Sequence, residues 1–283
     1  MQGLNALEIG ERGTAAITKE LKQLHDMETY IPVDAKSLSM HQHAEALSSL
    51  IFLTEKWDGS IKAWKRADGS KQRCEPGYHK EDNASPTATN ESVFITAAID
   101  AYEGHNVAYM DIPGAYLHTH TPSDKEIIML MKGKLAEMIV LVDPKLYCKY
   151  VIYDIKGTPM LYVKMNKALY RLFQSALLLY KKLTEVLKVF GFKINPYDQC
   201  IANKIVKELP MTAMWHMNDL KVSHKDPFEI TMFAMYLTKF FGKNIMVKHG
   251  KVNDFLGVDW EYPKKGIVKV SMIKYISNVI KEF

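Results

Sequence analysis

Two apolar, β-prone runs on either side of a short polar tip constrain the fold more than any other feature of the chain. The runs and the tip span residues 211–224, and the tip is Asn218 followed by Asp219. Asn and Asp are preferred turn residues, so the pattern predicts a β-hairpin whose tip carries a carboxylate. A third β-prone run, residues 106–117, carries another lone carboxylate at Asp111.

Helical patterns separate these strands in a fixed order. Apolar residues at helical spacing predict one helix that ends at Gly191 and another that begins at Pro227. From residue 106 onward the order is strand, helix, strand, strand, helix, strand, which predicts an α+β fold with a ferredoxin-like βαββαβ sheet. Such a sheet sets the end of its first strand beside the tip of its central hairpin. We therefore expect Asp111 and Asp219 on one face of the sheet.

The first hundred residues have a different pattern. Residues 12–27 carry apolar side chains at helical spacing and predict an amphipathic helix. Residues 51–65 predict two strands joined by Asp58 and Gly59, because Gly takes the positive φ that a type I′ turn demands. A second helix is predicted over residues 91–102. The hairpin also carries three cations: Lys62, Lys65 and Arg66.

Composition excludes some classes of protein. The 283 residues are 47% hydrophobic and 24% charged, which is ordinary for a globular chain with a substantial core. The net charge of +5 permits nucleic-acid binding. No apolar run approaches the roughly 18–20 residues of a membrane span, and three scattered cysteines favour a reducing compartment over a disulfide framework. We therefore expect no membrane partner and an intracellular location, either cytoplasmic or nuclear.

Neither acidic position is informative alone, because Asn218 and Asp219 form an ordinary turn sequence and Asp111 is an ordinary strand-end residue. As a pair they suggest chemistry, since magnesium takes oxygen ligands, commonly one or two carboxylates plus substrate phosphates. Two such ions about 3.5–4 Å apart assist in-line displacement at phosphorus. The pair therefore indicates nucleotidyl transfer. The sequence has no P-loop or dinucleotide-binding glycine motif, which argues against those nucleotide sites.

Four blocks of sequence carry a family resemblance, in the right order along the chain. The first is Asp-Ile-Pro-Gly-Ala-Tyr-Leu at 111–117, and the second is Lys-Ala-Leu-Tyr-Arg-Leu-Phe-Gln at 167–174. The third is His-Met-Asn-Asp at 216–219, and the fourth, a strand-like motif, is Asp-Phe-Leu-Gly-Val at 254–258. From roughly residue 12 onward, the chain resembles the reverse-transcriptase domain of copia-type retrotransposons.

The resemblance implies a right-hand polymerase and its reaction. Residues 1–105 would hold N-terminal helices and a fingers-like region, residues 106–262 the ferredoxin-like palm with the metal site, and residues 263–283 the start of a truncated thumb. The implied activity is RNA-directed DNA synthesis with two Mg²⁺ ions, as part of a retrotransposon polyprotein. The implied partners are an RNA or DNA template with its primer, and deoxynucleoside triphosphates.

The resemblance also implies roles for single residues. Asp111 and Asp219 would bind metal, with the backbone carbonyl of Ile112 as a further ligand. Tyr116 would lie under the incoming sugar and exclude a 2′-hydroxyl, and Gln174 would contact the nucleotide or the template strand. Two alternatives stay open, a core aromatic for Tyr116 and an exposed polar residue at a helix start for Gln174.

The hairpin cations Lys62, Lys65 and Arg66 would face the triphosphate or the template backbone, where cations are favoured by counterion release. A solvated hairpin face that binds nothing is an equal alternative. Trp64 stands where the family's fingers motif has Arg, which weakens the triphosphate assignment.

Departures from the family pattern affect the catalytic positions. Asn218 replaces the second aspartate of a Tyr-Val-Asp-Asp box, Arg171 replaces a glycine and Phe173 replaces a lysine. An amide is neutral and a weaker ligand than a carboxylate, so we expect poorer Mg²⁺ binding and a weak or inactive enzyme. The alternative is an inactive remnant that acts only as a nucleic-acid-binding module. A third possibility is an unrelated α+β domain with a similar hairpin.

Overall fold

The computed structural model describes residues 10–55, 59–69, 84–122, 126–242, 245–250 and 252–282. The chain forms two compact units. Unit 1 contains residues Met1–Ala84 and Tyr116–Leu178, and unit 2 contains Ser85–Ala115 and Leu179–Phe283. Each unit therefore combines two separate stretches of sequence.

The described helices and strands are interspersed along the chain. The helices are α1 (Gly10–Asp26), α2 (Met40–Glu45), α3 (Asn90–Glu103), α4 (Lys134–Val142), α5 (Pro144–Tyr147), α6 (Ser175–Phe190), α7 (Pro227–Phe241) and α8 (Ile273–Glu282), with 3₁₀ turns at Ala35–Ser37, Ala115–His118 and Cys148–Tyr150. The strands are β1 (Tyr30–Pro32), β2 (Leu47–Glu55), β3 (Ile61–Ala67), β4 (Asn106–Asp111), β5 (Ile128–Lys132), β6 (Ile152–Tyr153), β7 (Pro159–Met165), β8 (Lys193–Ile194), β9 (Ile201–Val206), β10 (Leu209–His216), β11 (Asp219–His224), β12 (Met246–His249), β13 (Val252–Phe255), β14 (Val258–Lys264) and β15 (Ile267–Ser271).

Unit 1 is built on a mixed sheet in the order β1-β7-β5-β2-β3, with β6 paired to β7. The predicted amphipathic helix is confirmed as α1, which buries Ile17, Leu21 and Leu24 in the core of this unit. The predicted hairpin is confirmed as the antiparallel pair β2–β3. Asp58 of its predicted turn lies outside the described residues. The sequence pattern did not predict β5, α4 or α5.

Unit 2 is built on an antiparallel sheet in the order β12-β4-β11-β10-β9-β8. Strands β4, β10, β11 and β12, with helices α6 and α7 between them in sequence, occur in the predicted order. Asp226 and Pro227 start α7 as N-cap and first residue, and Gly242 ends it. Phe233 of α7 packs against Phe190 and Phe192, with ring centroids 5.1 and 5.3 Å away.

The opposite face of this sheet packs against α3 and the small sheet β13-β14-β15. Tyr109 of β4 contacts the ring of Phe255 at 5.1 Å between centroids, and Trp260 is buried in the same cluster. The strand-like motif at 254–258 belongs to two strands, β13 and β14, and is interrupted between them. Leu256 and Gly257 form a two-residue turn with φ of +57° and +75°, which joins β13 to β14.

The fold class is therefore α+β, as predicted. Across the described part of the chain, each helix is too short or too polar to cross a lipid bilayer.

Candidate active site

Asp111 and Asp219 lie directly opposite each other, at the end of β4 and the start of β11. Directly opposite residues of an antiparallel pair share one face of the sheet. Ile112 and Asn218 are the neighbouring pair, one residue beyond the two acids. The amide of Ile112 donates to the carbonyl of Asn218 at 3.2 Å, so Ile112 and Asn218 form a hydrogen-bonded pair. Because such pairs alternate, Asp111 and Asp219 form a non-hydrogen-bonded pair, whose Cα atoms approach to about 4.5 Å. Their side chains therefore share one small region.

The hairpin tip has a constrained backbone. Only two residues, Met217 and Asn218, connect His216 to its cross-strand partner Asp219. Met217 has a φ of +57°, a left-handed conformation that non-glycine residues adopt at a cost of roughly 1 kcal/mol or more. A positive φ at the first of two turn residues is typical of a type II′ turn, which usually takes Gly there. Such strain persists only where the surrounding structure holds the turn in place, as the pairing of β10 with β11 does here, and it is common at functional sites.

Asn218 contacts the first carboxylate directly. Its side-chain amide Nδ2 donates to Oδ1 of Asp111 at 2.6 Å. The backbone carbonyl of Asn218 is also engaged, since it accepts from the amide of Ile112, whose side chain is fully buried. Both the side chain and the backbone of Asn218 are therefore tied to the end of β4, and its amide occupies one acceptor position of the Asp111 carboxylate.

The electrostatic surroundings of Asp219 include groups that the sequence analysis did not single out. Partial burial and the charge of Asp111 raise the pKa of Asp219 above its ordinary value, and Asp254 adds to this effect. His216 and Lys248 act in the opposite direction. His216 is the cross-strand partner of Asp219, so the two side chains lie on the same face of the sheet. The alternation of side chains along the strands could therefore have indicated His216 as a neighbour of Asp219. Asp254 belongs to a different sheet, and no local pattern places it near Asp219.

The raised pKa predicts that Asp219→Asn stabilises the protein at neutral pH. A carboxyl whose pKa is raised by folding binds its proton more tightly in the folded state, so stability falls as pH rises from the ordinary value through the raised one. The variant removes this penalty, and we expect a gain of a few tenths to about 1 kcal/mol, since solvent screens a half-exposed pair. Urea denaturation at pH 7 and pH 4 measures it. The gain should shrink at pH 4, and a less stable variant at pH 7 would contradict the prediction.

The donor set suits one Mg²⁺ ion together with substrate phosphates. Two facing carboxylates are hard oxygen donors of the number that magnesium commonly takes from protein. In the described ranges, His, Cys, Asp and Glu side chains form no group of three or more that is arranged to hold a metal ion.

The remaining predicted site residues belong to unit 1. Tyr116 lies in a 3₁₀ turn and is buried, with its ring edge-on to Tyr170 at 4.8 Å between centroids. Gln174 is half-buried immediately before α6, and its carbonyl accepts from the amide of Leu178 at 2.9 Å. Gln174 therefore begins a helix, and Tyr116 packs as an aromatic side chain within unit 1.

The three hairpin cations do not share one face of β3. Lys62 and Arg66 alternate with Trp64 on the outer face, where the Lys62 ammonium lies 4.4 Å from the centre of the Trp64 ring. The Arg66 guanidinium lies over the ring of Phe52 at 4.8 Å. Lys65 points inward and is 0% exposed, which corrects the expectation of a cation facing phosphate. Period-2 alternation explains the difference, because Lys65 is in phase with the buried residues of the strand.

The structure explains one departure from the family pattern. Arg171, which stands where the family box has glycine, has a φ of +66°. Glycine adopts that conformation without steric cost, whereas a residue with a Cβ does not. The position thus retains the backbone that suits glycine after the glycine itself has been lost.

Comparison with known proteins identifies the relationship. Residues 51–283 match the family model described as Reverse transcriptase (RNA-dependent DNA polymerase). A comparison with curated proteins gave no match. The family match covers most of the chain and includes all four blocks of the sequence resemblance.

Proposed function

Because the chain belongs to the reverse-transcriptase family, we propose that it is the RNA-directed DNA polymerase domain of a copia-type retrotransposon polyprotein, impaired by Asn218. The observation that carries the proposal is the cross-strand pair of Asp111 and Asp219. Fingers in residues 1–105, a palm in residues 106–262 and the start of a thumb in residues 263–283 belong to the same proposal.

In the proposed reaction Asp111 and Asp219 would hold Mg²⁺, and the carbonyl of Ile112 would be a further candidate ligand. Bound magnesium supplies charge neutralisation for the phosphates and polarises the 3′-hydroxyl of the primer. The protein's own contribution is position, because the strained turn at Met217 and the pairing of β4 with β11 fix both carboxylates before substrate arrives. Template, primer and deoxynucleoside triphosphates are the proposed partners.

Asn218 weakens this arrangement in two ways. It supplies no negative charge where two divalent ions and a triphosphate would need it. It also donates a hydrogen bond to Oδ1 of Asp111, which occupies one lone pair of that oxygen and leaves the carboxylate a weaker donor to a cation. We therefore infer slow turnover with the fold retained.

Substrate contacts are proposed for residues of unit 1 as well. Tyr116 and Gln174 keep their proposed roles at the sugar and at the nucleotide or template. Lys62 and Arg66 remain candidates for contact with phosphate, whereas the buried Lys65 does not, since its ammonium is not exposed.

A second function is favoured by the outer face of β3. Lys62, Trp64 and Arg66 alternate there, with both cations close to aromatic rings. Basic and aromatic side chains on one surface suit single-stranded nucleic acid, because bases stack on rings while cations neutralise phosphates. The alternative is therefore a nucleic-acid-binding module without catalysis.

Binding of a deoxynucleoside triphosphate separates these two functions. We expect the unmodified chain, with primer–template bound, to bind the nucleotide at least several-fold more tightly in Mg²⁺ than in EDTA, because the two carboxylates attract the ion. Asp111→Asn should abolish that difference, and fluorescence anisotropy with a labelled nucleotide measures it. Asp259→Asn, which changes an acid on β14, is the matched control. Equal binding with and without Mg²⁺ would favour the binding module.

A further inference from the structure

A network of charged and polar side chains lies on the same face of the unit 2 sheet as the acid pair, and all of its members except Glu103 are buried. The ammonium of Lys221 in β11 lies 2.6 Å from Oδ2 of Asp100 in α3, and the two side chains are 3% and 2% exposed. Lys221 also donates to Oγ1 of Thr96 at 3.0 Å. The second oxygen of Asp100 lies 3.1 Å from Nδ1 of His105, which immediately precedes β4. Glu103 completes the network at 2.9 Å from Nε2 of His105.

The burial of Asp100 and Lys221 together has a large cost in free energy. Both groups lose their hydration when they are buried, and well-packed apolar residues of similar volume are often as stabilising or more so. Lys221 lies between Tyr109 of β4 and Met214 of β10, two neighbours that would accommodate an apolar side chain. Stability alone therefore does not account for the ion pair, and the best-attested use of buried polar groups is to specify a register.

The pair penalises every other register of β11 against β4. Side chains alternate between faces, so a slip of one residue would move Lys221 to the opposite face. That face packs against α7, where Ile230 and Phe233 are fully buried. A slip of two residues keeps the face but moves Lys221 about 7 Å away from Asp100. Either slip also separates Asp219 from Asp111.

We propose that Asp100 and Lys221 form a register lock that holds Asp219 opposite Asp111. One carboxylate oxygen of Asp100 contacts Lys221 of β11, and the other contacts His105, which immediately precedes β4. One buried carboxylate thereby sets the position of both strands that carry the acid pair. Asp100 and Lys221 are positioning residues, since they act on the site only through the backbone. The lock concerns strand pairing, and its importance for catalysis rests on the proposed function.

Hydrogen–deuterium exchange of the full-length chain tests the lock without requiring activity. The double variant Asp100→Leu/Lys221→Met replaces the ion pair with apolar groups of similar size. We expect exchange in peptides that cover 106–112 and 216–222 to become about tenfold faster or more, because slipped registers are no longer penalised and the two strands can separate to change their pairing. Peptides from β9 should be unchanged. Lys269→Met/Glu261→Leu, which removes an exposed ion pair elsewhere in unit 2, is the matched control.

A second variant covers the case in which the double variant does not fold. His105→Phe removes only the contact at the start of β4 and leaves the ion pair in place. It should accelerate exchange in residues 106–112, and in their partners 216–222 by less than the double variant does, because the ion pair still holds β11. Exchange at the unmodified rate in the double variant would overturn the lock, and so would the same result for His105→Phe if only that variant folds.

The catalytic consequence is measured separately, in the Asn218→Asp background. There the double variant should lower kcat for primer extension while the nucleotide KM stays unchanged, since the lock positions acids and does not contact substrate. Faster exchange without any primer extension in that background would count against the proposed function and would leave the lock standing. An unchanged kcat together with faster exchange would overturn the catalytic role of the lock.

Discussion

Asn218→Asp is expected to accelerate RNA-templated primer extension by roughly 10³-fold or more. If the missing ligand costs several kcal/mol of transition-state stabilisation, each ~1.4 kcal/mol changes the rate tenfold. The substitution supplies the absent charge and removes the amide that donates to Asp111. The introduced carboxylate would then lie beside two acids, so the acceleration should depend steeply on Mg²⁺ concentration.

Two control variants separate the causes of that acceleration. Asn218→Ala removes the hydrogen bond to Asp111 without adding charge, so any gain it gives measures release of that carboxylate alone. Asn203→Asp makes the same chemical change on β9, where the amide donates to Thr212, and should leave the rate unchanged. Rates are measured in a single turnover with labelled primer. Equal rates for the unmodified chain and Asn218→Asp would show that our interpretation of Asn218 is wrong.

The part of the candidate site that could be predicted from sequence depends on local patterns. Turn-prone Asn218 and Asp219 between two apolar runs indicated the hairpin, although its turn is Met217 and Asn218 and Asp219 already belongs to β11. Element order indicated that the strand of Asp111 pairs beside this hairpin. The structure has both features, with Asp111 and Asp219 as direct cross-strand partners. Capping residues predicted the ends of helices equally well, since Pro227 begins α7 and Gly191 follows α6.

Contacts between residues distant in sequence were beyond that reasoning. A local feature was missed as well, since three apolar residues, Phe255, Leu256 and Val258, made the turn at Leu256 and Gly257 look like part of a strand. The pairing of Asp100 with Lys221 joins a helix to a strand more than a hundred residues later, and a single sequence offers no signal for it. The hydrogen bond from Asn218 to Asp111 likewise depends on rotamers, which tertiary packing sets.

Lys65 shows where a stricter use of the sequence pattern would have succeeded. Along β3, Ala63, Lys65 and Ala67 are buried, whereas Lys62 and Arg66 lie on the outer face. Two alanines in phase with Lys65 are a period-2 signal that this lysine points inward. The expectation that all three cations face phosphate follows from their charge alone and does not use the alternation of buried and exposed positions along β3.

Lys65→Met should stabilise the protein by about 1–4 kcal/mol at neutral or acid pH, the range found when a buried ion pair is replaced by apolar groups, because Lys65 is fully buried and its ammonium contacts a sulfur and an aromatic ring. The ammonium lies 3.4 Å from the sulfur of Met131 and 4.1 Å from the ring centre of Tyr30, inside the core of unit 1. Burial lowers the pKa of Lys65 well below its ordinary value, and the charge of Glu20 opposes that shift only in part. Glu20 accepts a hydrogen bond from the Lys65 backbone amide.

The pH dependence of that gain distinguishes a buried charge from better packing. A lysine whose pKa falls on folding binds its proton less tightly in the folded state, so its penalty is complete below the lowered pKa and disappears as pH rises towards 10.5. The advantage of Lys65→Met should therefore shrink between pH 6 and pH 10 in chemical denaturation. Lys62→Met on the outer face is the matched control and should stay within about 0.5 kcal/mol at each pH. A constant gain would indicate that packing alone stabilises the variant, and a loss of stability at pH 6 would show that the lysine contributes favourable contacts to the core.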